Sequence, residues 1–134
     1  MVAENMSAES RSSLLVVDDE PGVRLVLQRM LERLGYHVVT ANDAREAFAA
    51  LATDVAISLI VLDLGLPDMK GEKVLERLAE MGNELPVLIS SGASADELDR
   101  LLAADNAVAG VLRKPFRMPE LDQAVRGCLN SEPG

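Results

Sequence analysis

Apolar residues fall along this chain in two alternating rhythms. Four short segments are nearly unbroken apolar runs: LLVV (14–17), ISLIVLD (57–63), LPVLISS (85–91) and AVAGVLRK (107–114). Such a run leaves no side of a strand for water, so each reads as a strand covered on both faces. A fifth segment, YHVVT (36–40), is more polar and reads as an edge strand with His37 on the sheet surface. Between these lie segments whose apolar residues recur three and four apart, the helical spacing. They are PGVRLVLQRMLERLG (21–35), DAREAFAAL (43–51), GEKVLERLAEMG (71–82), ELDRLLAA (97–104) and PELDQAVRGCL (119–129). Their ends carry helix chemistry. Pro21 and Pro119 suit a first turn, where the missing N–H costs nothing, and Gly35 suits a last one. Asp43 with Glu46, and Ser94 with Glu97, form capping-box-like pairs.

Strand then helix, five times over, predicts an α/β fold: a five-stranded parallel sheet doubly wound with helices on both faces. The four apolar strands are expected inside it, the polar second strand at an edge. In such sheets sites form outside the carboxyl ends of the strands. Those ends carry Asp18 and Asp19 (strand one), Asp63 (strand three), Ser90 and Ser91 (strand four) and Lys114 followed by Pro115 (strand five). Two adjacent carboxylates at the end of a buried strand repel each other, and a cation would offset that cost. A cluster of carboxylate oxygens suits a hard divalent ion; Mg²⁺ typically takes one or two carboxylates plus phosphate oxygens, and Mn²⁺ takes similar ligands. An ordinary aspartate pKa of about 3.9 leaves Asp63 ionised at neutral pH. It could then attack phosphorus without a general base, as carboxylates do in forming aspartyl phosphates.

Composition narrows the choice. The 134 residues fit one domain, expected over 13–129 between tails at 1–12 and 130–134. A net charge of −9 argues against a phosphate-backbone binder. Tyr36, Phe48 and Phe116 are the only aromatic residues, too few for a base-stacking platform. No run approaches the roughly 18 apolar residues of a membrane span, so no membrane insertion is expected. One cysteine, Cys128, cannot form an internal disulfide and reads as a small apolar residue on a helix face.

The segments VVDDEPG, VLDLGLPDMKG, PVLISSG and GVLRKPF together resemble the signature segments of the response-regulator receiver domain of two-component systems. The resemblance implies the flavodoxin-like receiver fold with strand order 2-1-3-4-5 and a cytoplasmic phosphorelay role. In that role the chain takes a phosphoryl group from a phosphohistidine of a histidine kinase or histidine phosphotransfer protein. It would act as relay, sink or docking switch. By motif, Asp63 resembles the phosphoacceptor. Asp18, Asp19 and the backbone carbonyl of Gly65 resemble the Mg²⁺ ligands, Asp19 most directly. Ser91, directly before Gly92, and Lys114 resemble the pair that stabilises the phosphoryl group. The Lys114–Pro115 bond is expected to be cis. The resemblance makes the chain a phosphoacceptor that assists its own phosphorylation and dephosphorylation, not an enzyme in the usual sense.

Two positions depart from the family pattern. Serine replaces the common threonine at 91, which keeps the hydroxyl. Val111 stands where many receivers carry Tyr or Phe, so no ring can swing inward to report activation; this favours a relay or sink. Docking is expected beside the first helix, where Val23, Val26 and Met30 lie at one margin of the apolar stripe. A weak homodimer fits as well. The alternative is a degenerate receiver that binds partners without phosphorylation, against which the intact acids, Ser91 and Lys114 speak. A dehalogenase-like phosphatase would space its first-strand aspartates differently. A nucleotide or flavin binder would need a GxGxxG or P-loop motif, and neither is present.

Overall fold

The structure, a computed structural model, describes residues 13–53, 56–92 and 108–130. Five strands, β1 (Ser13–Val17), β2 (His37–Ala41), β3 (Ile57–Asp63), β4 (Val87–Ser91) and β5 (Val108–Arg113), form one sheet in the order β2-β1-β3-β4-β5. All four ladders are parallel. The helices among the described residues are α1 (Pro21–Arg33), α2 (Ala44–Leu51), α3 (Gly71–Glu80) and α4 (Met118–Asn130). The segment expected to form a further helix, 97–104, and the Ser94–Glu97 pair before it lie outside the described residues, as do positions 1–12 and 131–134. The last helix runs through Asn130, one residue into the segment expected as tail. Leu129 packs against the core and holds that final turn.

Strand alternation splits the core in two. Leu15, Val17, Ile60, Leu62, Val87 and Ile89 point to one face, where Ala44, Ala47, Val74, Leu75 and Leu78 from α2 and α3 cover them. Leu14, Val16, Leu59, Val61, Leu88 and Leu112 point to the other, beneath Leu27 and Leu31 of α1 and Leu121, Val125 and Cys128 of α4. Cys128 is buried, and burial pushes its thiol pKa up, as fits a packing residue. His37 is exposed on the edge strand β2.

Strand β5 takes the edge place that the expected strand order gives it, and corrects only the reading of its apolar run. Its apolar run suggested an inner strand, yet it is the second edge, paired only with β4, and Leu112 alone along it is fully buried. An apolar run reports covered faces, not the number of flanking strands, and α4 supplies part of the cover.

Helix ends follow the local chemistry. Pro21 opens α1. Gly35, at φ 99°, ends it, with Tyr36 N donating back to Leu31 O at 3.1 Å; the left-handed conformation costs glycine nothing. Asp43 Oδ1 accepts from Glu46 N at 2.8 Å. Glu46 reaches back to Asn42 N, at 2.8 Å, one residue before the cap. The same helix receives a second cap from far away. Asp68 accepts from Ala44 N at 3.0 Å and Arg45 N at 3.1 Å, so the loop after β3 is tied to the start of α2. At the start of α3, a Cβ on Gly71 would overlap the Leu64 side chain, so glycine is what lets the residue after Asp63 lie there.

Candidate functional site

The carboxyl ends of the strands bring the expected groups together. Asp18 follows β1 in the alternation series of Leu14 and Val16 and is 1% exposed. Asp63 ends β3 in the series of Leu59 and Val61 and is 8% exposed. One ligand oxygen from each of Asp18, Asp19 and Asp63 can lie within 4.8 Å of the others. Asp19, past the strand end, is the more exposed of the three. Asp18 is held on several sides. Its backbone N–H donates to Ala41 O at 3.1 Å, its Oδ1 accepts from Glu20 N at 3.0 Å, and its carbonyl accepts from Arg24 at 2.8 Å.

Lys114 closes the cluster. From the end of β5 its Nζ reaches Asp63 Oδ1 at 3.3 Å and Asp18 Oδ2 at 3.5 Å. Its own backbone N–H donates to Ser91 O at 3.0 Å, and its peptide bond to Pro115 is cis, as the motif implied. Burial, then the neighbouring charge of Asp18, raise the Asp63 pKa above the ordinary carboxylate value. Lys114 and the Gly65 backbone N–H pull the other way without cancelling the rise. The sequence-based expectation took an unperturbed value; the pocket moves it upward. Burial pulls Lys114 down, but Asp63 and Asp18 override it and leave its pKa raised.

The other expected residues fall as follows. Ser91 ends β4, buried, in the alternation series of Val87 and Ile89. Gly65 lies two residues past Asp63, exposed, with room for a Cβ 3.8 Å from Asp63 Oδ2. Val111 is half-buried against the α2–α3 side of the core. Val23, Val26 and Met30 line a shallow groove of about 900 Å³ with Pro21, Lys114 and Phe116, and Val26 is 55% exposed. Leu25, at 46%, faces solvent as well.

Sequence reasoning missed two residues that shape the rim. Arg24, one turn into α1, anchors the Asp18 backbone. Asp68 caps α2 across a gap of 24 residues, which no local pattern signals. Ser90, the other hydroxyl at the end of β4, is the direct sheet partner of Asp63.

The acidic cluster has the donor set of a divalent-metal site: hard carboxylate oxygens from three residues converging at one rim, with a buried member that a cation would relieve. Among the described residues no helix is long and apolar enough to cross a membrane.

Comparisons with known proteins agree with this geometry. The family model described as the response regulator receiver domain matches residues 14–126. The chain is 36% identical over 116 residues to the alkaline phosphatase synthesis transcriptional regulatory protein PhoP of Bacillus subtilis, covering 87% of this chain and 48% of that one. It is 34% identical over 113 residues to the sensor histidine kinase RcsC of Salmonella typhi, covering 84% of this chain and 12% of that one. The chain thus spans about half, or much less, of the curated relatives it matches. Among solved structures, the response regulator protein TrrA of Thermotoga maritima, in complex with Mg(2+)-BeF, superposes with a TM-score of 0.75 at 26% identity, covering 88% of this chain and 99% of that one. With motif, strand order and rim geometry in accord, the chain belongs to the response-regulator receiver domain family.

Proposed function

We propose that this chain is the phosphoacceptor of a two-component phosphorelay, with Asp63 receiving a phosphoryl group from the phosphohistidine of a histidine kinase or phosphotransfer protein. The observation that carries the reading is Asp63 at the end of β3, with Lys114 Nζ 3.3 Å away and two further carboxylates at its side. In the transfer a carboxylate oxygen of Asp63 forms a bond to phosphorus while the phosphorus–nitrogen bond of the donor breaks. The imidazole leaves with the electron pair. No proton has to be removed from the nucleophile, so no general base is needed.

Asp18, Asp19 and the Gly65 carbonyl would hold a Mg²⁺ ion, with Mn²⁺ an alternative. When bound, the ion neutralises negative charge on the phosphoryl oxygens. The chain's own residues do the remainder. Lys114 leaves its long contacts to Asp18 and Asp63 to pair with a phosphoryl oxygen. Ser91, at the lip of β4, donates its hydroxyl to another. Arg24 and Glu20 N hold Asp18 at the rim while the charges rearrange. In the absence of the phosphoryl group, burial first and the Asp18 charge second hold the Asp63 pKa up.

The groove bordered by Val23, Val26, Met30 and Phe116 opens beside Lys114. An apolar helix face of the phosphodonor fits it and would bring its phosphohistidine to the rim. Val111 supplies no ring to reorient, so the phosphorylated form serves as relay or docking state, with Asp63 and its loops as the recognised feature. On this reading the chain works in the cytoplasm and assists only its own phosphorylation and dephosphorylation.

The test is labelling with acetyl phosphate and Mg²⁺ followed by intact-mass measurement. One phosphoryl group should add to the wild type, be lost at high pH as acyl phosphates are, and not add to Asp63→Asn. A label that survives in Asp63→Asn would remove Asp63 as the acceptor.

A further inference from the structure

Ser90 is a buried hydroxyl with no work in the scheme above. It is 1% exposed, and among the described residues its Oγ has no hydrogen-bond partner. Buried polar atoms are nearly always paired, and each exception calls for a reason. Leaving a hydroxyl unpaired costs stability that an alanine would not. The three residues of β4 before it, Val87, Leu88 and Ile89, are aliphatic, and the one after it, Ser91, is a second buried hydroxyl at the strand end.

The sheet register says where it points. Ser90 is the Cα partner of Asp63 on one side and of Leu112 on the other. Paired residues of parallel strands project to the same face, so Ser90 shares a face with Asp63 and with Leu112. Ser91, the next residue, projects to the other. On β5, Lys114 is two residues beyond Leu112 and so returns to the Ser90 face. The strand order is β1-β3-β4-β5 across this region. To reach Asp63 on β3 and Asp18 beyond β1, the Lys114 side chain must pass over the end of β4. Ser90 is the residue of β4 beneath that crossing.

The hydrogen-bond inventory matches. A lysine ammonium has three donors and no acceptor. Among the described residues the side-chain partners of Lys114 are Asp63, at 3.3 Å, and Asp18, at 3.5 Å, both long for charge-assisted bonds. A third donor on the half-buried Lys114 and an unused buried acceptor on Ser90 thus lie on the same face of the sheet. We propose that Ser90 is a positioning residue for phosphoryl transfer: its Oγ accepts a hydrogen bond from Lys114 Nζ when the ammonium leaves Asp63 for the incoming phosphoryl group. The serine keeps the ammonium low over the acceptor while its carboxylate partner is being phosphorylated. No proton changes owner in this step, and no covalent bond involves Ser90. The inference rests on the phosphoacceptor reading of Asp63.

The experiment compares wild type, Ser90→Ala, Ser90→Thr and Asp63→Asn. Each is labelled with acetyl phosphate and Mg²⁺, for the initial rate and the lifetime of the label, and melted without metal. Ser90→Ala should melt at or above the wild-type temperature, because an unpaired buried hydroxyl has been removed. Its labelling rate should nonetheless fall about three- to tenfold, the factor set by one hydrogen bond. Ser90→Thr, which restores the hydroxyl, should recover most of that rate. Wild-type labelling rate and lifetime in Ser90→Ala would overturn the proposal. So would a slower rate accompanied by a lower melting temperature, which would assign Ser90 to packing. An unlabelled wild type, or a label persisting in Asp63→Asn, would instead strike the acceptor reading, and this inference would fall with it.

Discussion

Replacing Asp63 by asparagine should make the metal-free protein more stable, and the size of the gain follows from the rim. Asparagine keeps the shape and an oxygen for the Gly65 N–H, so the change is mainly one of charge. Like charges within 4.8 Å of one another repel by about 3.5 kcal/mol at an effective dielectric constant of about 20. Asp63 has two such neighbours, Asp18 and Asp19. Against them stands one attraction, to Lys114 at 3.3 Å, of about 5 kcal/mol on the same footing. Repulsion therefore wins by about 2 kcal/mol, and removing a buried charge adds to the gain. In a domain of this size a kilocalorie moves the melting temperature by about 3–5 °C.

Asp63→Asn should then melt about 6–10 °C above wild type in chelator at neutral pH and low salt, by circular dichroism or calorimetry. The pH dependence has a definite sign. A carboxyl whose folded pKa is raised holds its proton longer in the folded state than in the unfolded one. Wild-type stability should thus fall as pH rises from the unfolded value of about 3.9 through the raised folded pKa. The variant lacks this fall, so the two curves should meet in acid and separate above it. Added Mg²⁺ should raise the wild-type melting temperature by mass action and raise the variant's much less. An Asp63→Asn variant that melts at or below the wild type in chelator would refute the reasoning.

Two further outcomes follow from groups around the rim. Asp68→Ala should cost about 0.5–2 kcal/mol in urea unfolding, the usual range for a lost helix cap. Bonds from Ala44 N and Arg45 N hold the Asp68 pKa down, so its contribution is present above about 3.9 and lost as pH falls through the folded value. The deficit should therefore shrink in acid. Val26→Glu, in the groove beside α1, should slow phosphotransfer from the cognate kinase at least tenfold, one buried apolar contact being worth about 1.5 kcal/mol or more. It should leave labelling by acetyl phosphate unchanged, and an equal loss in both assays would remove the groove from docking.

What the sequence made legible was whatever is written locally. Asp18, Asp63 and Lys114 could be assigned to one rim because each follows an apolar run, and parallel strands deliver their carboxyl ends to the same side. Helix starts at Pro21 and Asp43 were legible for the same reason. The edge position of β5 came from the motif resemblance and not from its apolar run, because covering by α4 and flanking by another strand leave the same apolar signature. The bond from Asp68 to α2 was not legible, since its partners are more than twenty residues away and meet only once β3 and α2 are packed. Which of the two serines shares a face with Asp63 needed the register, in which a shift of one residue reverses the face.

The contact between Leu64 and Gly71 also bears on how this sequence can change over generations. Leu64 fills the place where a side chain at position 71 would begin, so the two sites share one volume. An alanine at 71 is tolerable only after position 64 has shortened or found another rotamer. The overlap is with the far end of a flexible side chain, so a rotation of Leu64 makes the room and the backbone beside Asp63 stays where it is. Positions 64 and 71 are therefore coupled through one rotamer. A side chain gained at the start of α3 is felt first as a turn of the residue next to Asp63, and a smaller residue at 64 removes that coupling.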